Sequence, residues 1–445
     1  MINGTSPCKK SDRRWWKEFV VYQVYPASFK DSNGNGLKNI NGITLKLDYL
    51  GDRRWSNYLD VELRFGTMVD IQRLLAELKR RGMKLIIDLV VNHTSTQGNR
   101  QPPNNWACLL DDSQSAWAYH LTTDECFLSL SSAYQADLNW ENPLVRAEVQ
   151  KIARFWLEMG VAGFRMDLIN LELKRAVLDK YDVLTFGEIS FLDDDCQQLE
   201  MVKAEEGCLN MIFTFEMMGL DMVPDQGRFS YQPWSVAELR KGADRSQSLS
   251  AQNGWPSLFC ENHGQPRSVS RWCNDSDAYH VAGSKLLCLM QTTLTMEFFF
   301  NSGFCSPGVT PRMSINDDYP IVNAAAQSSA AKANERSTLR ALEMRKKFAD
   351  LFIYSKFEPI EGTHPAVFAS KKSCRDGSDV PITVLNFSGE EAEFVILVGY
   401  EVKSWVLGSY DSLSTEMPKE VPVRLLPWEG LAGMCRVLTD QYLIT

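Results

Sequence analysis

Residues 142–167 read NPLVRAEVQKIARFWLEMGVAGFRMD. The first part carries apolar residues at helical spacing and stops at a glycine, which predicts a helix over 142–160. The remainder, VAGFRMD, is near-continuously apolar until it ends on charge, which predicts a buried parallel strand. Helix followed by strand is half of a βαβ unit, and the pattern recurs along most of the chain. FVVYQVY (19–25), MKLIIDLVV (83–91), DVLTFGE (182–188), LNMIFTF (209–215), WPSLFC (255–260) and TMEFFF (295–300) read as further buried strands. VDIQRLLAELKRRG and DAYHVAGSKLLCLMQTTL supply helices between them. The fold class is therefore α/β, a parallel barrel with helices outside. Seven strands are found where a closed (β/α)8 barrel needs eight. The gap follows Leu50, where GDRRWSNYLDVELRFG supplies no apolar run.

Two further regions break the alternation. Residues 94–140 contain QPPNNW and DLNWENP and read as an inserted excursion after the strand at 83–91. After about residue 355 the helical period gives way to AVFAS, VPITVLNFS, EAEFVILVG and VKSWVLGSY, an antiparallel β domain with turns at DGSD and SGEE. The expected organisation is a barrel over 15–354, interrupted by the excursion, and a C-terminal β domain over 355–445.

With 445 residues, 44% of them hydrophobic, the chain is long enough for a large core and an appended domain. Its formal net charge of -9 comes from scattered acidic residues, which argues against nucleic acid and membrane surfaces as partners and favours a neutral ligand such as a sugar. The basic N-terminal stretch has no apolar run behind it, and no segment of about eighteen apolar residues follows, so a cytoplasmic monomer is expected. The eleven cysteines stand singly, without a CxxC pair, and read as buried free thiols.

In a parallel barrel, polar residues at the C-terminal strand ends converge on one pocket. Those ends carry Asn92 and His93 (DLVVNH), Arg165 and Asp167 (GFRMD), Glu188 (TFGE), and Asn262 with His263 (ENHG). Any one of them alone is as well explained as a cap or turn residue. Together they are the set that a retaining glycosidase needs. One ionised carboxylate acts as nucleophile and one protonated carboxyl as acid, roughly 5 Å apart. Arg165 beside Asp167 favours the ionised form there, while Glu188 has no basic neighbour in its own segment.

Several of these segments, taken in order, carry a resemblance. WWKEFVVYQVYPASFKDSNGNG, LVVNHTS, DLNWENP, GVAGFRMD, TFGEIS, NHGQPR and LNFSGEE resemble the α-amylase clan, in particular its maltase and oligo-1,6-glucosidase branch in fungal form. The resemblance implies a TIM barrel with a B-domain after the third strand and a C-terminal β-sandwich. It implies hydrolysis of α-1,4 or α-1,6 glucosidic bonds of small maltose- or isomaltose-like oligosaccharides, with no cofactor required. By motif, Asp167 is the nucleophile and Glu188 the acid/base. Arg165, His93 and His263, with Asn262 beside it, are sugar-binding groups.

The same resemblance marks departures. Where the family has Asp, giving NHDQ, this chain has Gly264. Losing that carboxylate implies a rate lower by about a thousandfold or more. The family's second strand with its G-Y-D-I motif, much of the B-domain and a Y-Q-G-E segment also have no counterpart. A second reading is thus an impaired or inactive relative with a sugar-binding or regulatory role, and a third an incomplete gene product. DSNGNGLKN (31–39) falls where many relatives hold calcium. Asp31, Asn33, Asn35, Asn39 and the Leu37 carbonyl form a candidate calcium loop, against which stands a plain Gly/Asn turn.

Overall fold

The helix at 142–160 forms because each of its ends is chemically closed. Asn142 accepts the Leu144 N–H at 3.0 Å, Pro143 takes the first helical position, and Gly160 ends the helix at φ +108, donating to the Leu157 carbonyl. Helix Pro143–Met159 buries Val149, Ile152, Ala153, Trp156 and Leu157, the apolar stripe of the sequence pattern. The computed structural model describes residues 13–23, 32, 39–45, 59–61, 65–91, 93–94, 115–120, 124–129, 136–167, 171–188, 194–204, 206–223, 230–252, 254–260, 268–294, 297–301, 329–361, 364–373, 379–396, 398–410 and 422–438.

All seven apolar runs form strands. They are β1 Val20–Gln23, β2 Ile87–Leu89, β3 Gly163–Asp167, β4 Leu184–Glu188, β5 Met211–Phe213, β6 Pro256–Leu258 and β7 Glu297–Asn301. In the gap of the sequence pattern, Leu59 and Asp60 are turn and bend. The chain divides into two units, Phe29–Ile212 and Met1–Ser28 with Phe213–Thr445.

In the unit Phe29–Ile212, β2 runs parallel to β3 and β3 parallel to β4. The register is set at the strand starts. Ala162 donates to Leu85 O at 2.8 Å, and Leu184 donates to Ala162 O at 3.0 Å. A Cβ at Gly163 would lie 1.9 Å from the Leu184 carbonyl oxygen, so only glycine allows this approach. On the far side of β4, the Asn210 side-chain oxygen accepts from Thr185 N–H (2.8 Å) and Thr185 Oγ1 (3.0 Å), and Asn210 N–H returns to Thr185 O. Helix Met68–Arg80 feeds β2 and buries Ile71, Leu74 and Leu78. Asp70 accepts from both the backbone N–H and the hydroxyl of Thr67 at its start. Among the described residues β2 pairs with β3 alone.

The excursion after β2 closes on itself. Its two ends meet in a short antiparallel bridge, with His93 opposite Asp137 and Thr94 opposite Ala136, and within it Trp117–His120 pairs antiparallel with Glu125–Leu128.

In the other unit β1 and β6 each pair parallel with β7. Helix Val236–Ala251 starts on a Ser235/Glu238 capping box, and helix His280–Thr293 is buried from Gly283 through Thr293, with polar Lys285 and Gln291 included. The C-terminal strands are β8 Lys356–Ile360, β9 Val367–Ser373, β10 Val380–Asn386, β11 Ala392–Phe394, β12 Tyr400–Gly408, β13 Val423–Leu425 and β14 Gly430–Val437. One antiparallel sheet has the order β8-β9-β10-β14-β12, and β11 pairs with β13. Val367, Ile382 and Val384 of the first share a core with Phe394, Val423 and Leu425 of the second, which makes a sandwich. A second core joins Leu286, Leu289 and Met290 of the buried helix to Phe368, Leu385 and Ala432 of the large sheet.

Candidate active site

Asp167 and Glu188 are the final residues of β3 and β4, and the parallel ladder sets them directly opposite each other. Neighbouring strands lie about 4.8 Å apart, so both acidic positions stand side by side at one edge of the sheet. Their register follows from the contacts already described, the Gly163 approach to Leu184 on one side and the Thr185–Asn210 lock on the other.

Arg165 lies on β3, two residues before Asp167, opposite Asp88 on β2. Arg165 Nη1 donates to Asp88 Oδ1 at 3.0 Å, with side chains 15% and 12% exposed. The guanidinium expected to face Asp167 of its own strand thus has a partner in Asp88 on the next. A signal for it was present. Asp88 is the single acidic residue inside the run MKLIIDLVV, and a carboxylate in a buried strand calls for an opposite charge nearby. The pair holds the guanidinium in place at mid-strand, one pleat repeat below the acidic edge.

His93 lies just beyond β2, with its backbone fixed opposite Asp137. The path to it is anchored by a residue that the sequence reading treated only as part of a loop. The Trp140 indole N–H donates to Val91 O at 3.1 Å. Asn92, Asn262, His263 and Gly264 lie outside the described residues, as do Asp31, Asn33, Asn35 and Leu37 of the candidate calcium loop. Asn39 of that loop is described. Its side-chain oxygen accepts from Ser32 Oγ (2.7 Å) and from Gly42 N–H (2.9 Å), capping helix Ile40–Thr44. Asn39 thus serves as the cap of that helix. Among the described residues no group of three or more His, Cys, Asp or Glu could hold a metal ion.

Two acidic positions in register on adjacent parallel strands, with an anchored guanidinium two residues earlier on one of them, suit chemistry at a carbon that develops positive charge. The sequence model for the catalytic domain of α-amylase matches residues 54–99, 96–175 and 171–303. The chain belongs to the α-amylase family. Among its relatives in that family are an α-glucosidase of Schizosaccharomyces pombe, 30% identical over 96% of this chain and 99% of that protein, and an oligo-1,6-glucosidase of Parageobacillus thermoglucosidasius, 30% identical over 94% and 98%. Such relatives make this α-amylase family member a glycoside hydrolase by descent. The alignment with the first runs over 582 positions, against 445 residues in the whole of this chain, so it spans the relative's length only by passing over segments that this chain does not have.

Solved α-amylase family structures agree in fold. The isomaltulose synthase PalI from Klebsiella sp. LX3 superposes with a TM-score of 0.83 at 23% identity, covering 95% of this chain and 100% of the other. The trehalose-6-phosphate hydrolase TreA of Bacillus licheniformis superposes with 0.81 at 25%, with the same coverage. The fold is thus a TIM-type barrel with a C-terminal antiparallel β-sandwich.

Proposed function

We propose that this chain is a retaining α-glucosidase acting on small maltose- or isomaltose-like oligosaccharides, with Asp167 as nucleophile and Glu188 as acid/base. The observation that supports it best is the register of Asp167 and Glu188 at the ends of adjacent parallel strands. Retaining chemistry needs two carboxyl groups about 5 Å apart, and neighbouring strands supply that spacing. In the first step Asp167 attacks the anomeric carbon while Glu188 gives its proton to the departing glycosidic oxygen, leaving a glycosyl ester on Asp167. In the second, Glu188 takes a proton from water, which attacks the same carbon and frees Asp167. Arg165 supplies positive charge near the nucleophile and favours its ionised form. We assign sugar binding to His93, Asn262 and His263, a reading that rests on the motifs. Both steps use only the chain's own groups and water.

Residues 15–354 are assigned to the barrel, with 94–140 as its inserted excursion, and 355–445 to the sandwich. Action as a single copy in the cytoplasm belongs to the same proposal. The described cysteines Cys126, Cys196, Cys208, Cys260, Cys273, Cys288 and Cys435 are all free thiols, as suits a reducing compartment. Among the described residues, no helix is long and apolar enough to cross a membrane.

An activated aryl α-glucoside tests the proposal, because its leaving group needs little protonation and reveals nucleophilic competence first. Asp167→Asn should lower turnover at least about a thousandfold. Glu188→Gln should lose much more on maltose than on the aryl substrate. α-Glucose should be the first product. Unchanged turnover in Asp167→Asn, or β-glucose formed first, would sink the assignment. A second reading, sugar binding without turnover, is favoured by Gly264, which stands where the family carries a third carboxylate.

A further inference from the structure

By sequence the segment DLNWENP is part of the inserted excursion and a family motif. In the structure it is a compact clamp. Asp137 and Ala136 bridge to His93 and Thr94. Asn139 Oδ1 accepts the Glu141 N–H at 3.0 Å, and Asn142 caps helix Pro143–Met159. From the first turn of that helix Arg146 reaches back, donating through Nη1 to the carbonyls of Trp140 (2.8 Å) and Glu141 (2.9 Å). The turn that carries Trp140 is therefore held from both sides. The indole spends its single donor on Val91 O, two residues before His93. The backbone around His93 is thus gripped at the indole bond on one side and at the antiparallel bridge on the other.

We propose that Trp140 is a positioning residue for His93, holding the backbone at Val91 on the approach to His93 and so supporting the sugar contact assigned to that residue. This rests on the proposed function, in which His93 binds substrate. The mechanism is a shared constraint. β2 ends at Leu89, so Val91 lies beyond its parallel ladder and before the short antiparallel bridge at His93. The indole bond supplies support there, with a donor rooted at the start of a long helix. A bulky aromatic stem limits how far the donor can wander, which a flexible amide or hydroxyl at the same place would not. A role confined to holding the helix would instead leave sugar binding indifferent to the bond.

The test uses Trp140→Phe, which keeps an aromatic ring at the position and removes the donor with the rest of the indole, together with His93→Ala and the double variant in the full chain. Hydrogen exchange over residues 91–94 and maltose affinity are measured for each. Loss of one neutral hydrogen bond predicts exchange over 91–94 faster by about three- to tenfold in Trp140→Phe, with β3 and β4 unchanged, and maltose affinity weaker by a similar factor. The double variant should bind no more weakly than His93→Ala, because both changes remove one contribution. Additive losses would mark a general structural role and overturn the inference. So would unchanged exchange over 91–94 while the parent binds maltose normally. A parent that binds no sugar at all would overturn the proposed function itself, and with it this role of His93, whatever the exchange data show.

Discussion

Single positions carry distinct physical burdens. Asp88 and Arg165 balance each other inside the sheet, and removing Asp88 strips a largely buried guanidinium of an ion-pair partner. Asp88→Ala should therefore destabilise the protein by about 3 kcal/mol, read by chemical denaturation, while Asp88→Asn, which keeps an acceptor, should cost less. Glu429 is a different case, because its carboxyl is buried at 4% exposure. Burial pushes its pKa above the ordinary value, and the hydrogen bond from Leu426 N–H only partly opposes this. A raised carboxyl pKa means that the native state holds the proton more tightly than the unfolded chain does. Stability from this group is full in acid, falls as pH climbs from the ordinary glutamate value through the raised one, and stays lower above it. Glu429→Gln cannot ionise and keeps the acceptor, so its melting temperature should exceed the parent's by about 2 °C at neutral pH, with the gap closing near the ordinary glutamate pKa. Gly264 bears on activity. If the missing carboxylate limits the rate, Gly264→Asp should raise turnover of an aryl α-glucoside, and Asp167→Asn in that background should abolish the gain. The gain is bounded by the other absent segments, since residues acting as a unit contribute non-additively.

At the scale of elements, the acidic edge depends on how closely β3 and β4 approach. The seven apolar runs and the helix stripes between them were legible because buried parallel strands and amphipathic helices leave strong periodic signatures. The closeness of the two strands was not, because nothing in VAGFRMD says which carbonyl will face Gly163. Gly163→Ala would place a methyl group 1.9 Å from the Leu184 carbonyl oxygen. The strands would have to part, and with them the register of Asp167 and Glu188. Soluble, folded Gly163→Ala with a far-ultraviolet spectrum and melting temperature like the parent's would contradict this account. Gly160→Ala is the milder control. Its strain is confined to one positive φ at a helix end and should cost about 1 kcal/mol. In the C-terminal domain β14 escaped the sequence reading although it is the second-innermost strand by pairing, between β10 and β12. GLAGMCRV is short of β-branched residues and holds two glycines, so its strand character comes from its neighbours and not from propensity.

At the scale of the molecule, the C-terminal sheet is not a detachable module in the unit that contains it. Leu286, Leu289 and Met290 of the buried helix pack in one core with Phe368, Leu385 and Ala432. Ending the chain at residue 354 would uncover one face of helix His280–Thr293, and a contiguous apolar face of that kind drives aggregation. Residues 1–354 expressed alone should be insoluble or melt far below the full chain, as centrifugation and calorimetry would show. A soluble, cooperatively melting fragment would separate the two domains after all.

The sequence by itself determined the fold class, the order of the seven strands, the strand ends on which the chemistry is proposed, and the family to which those motifs belong. These are properties of local pattern and of residue type at fixed offsets, which a linear text carries in full. Only the tertiary structure decided which strand-end residues are neighbours, that Arg165 is balanced by Asp88, that Asn39 caps a helix, and that Trp140 grips the backbone leading to His93. Each of these pairs residues tens of positions apart or sets the partners of one side-chain oxygen. Such choices are settled by register and approach distance, which the packed chain sets and no local stretch of it encodes.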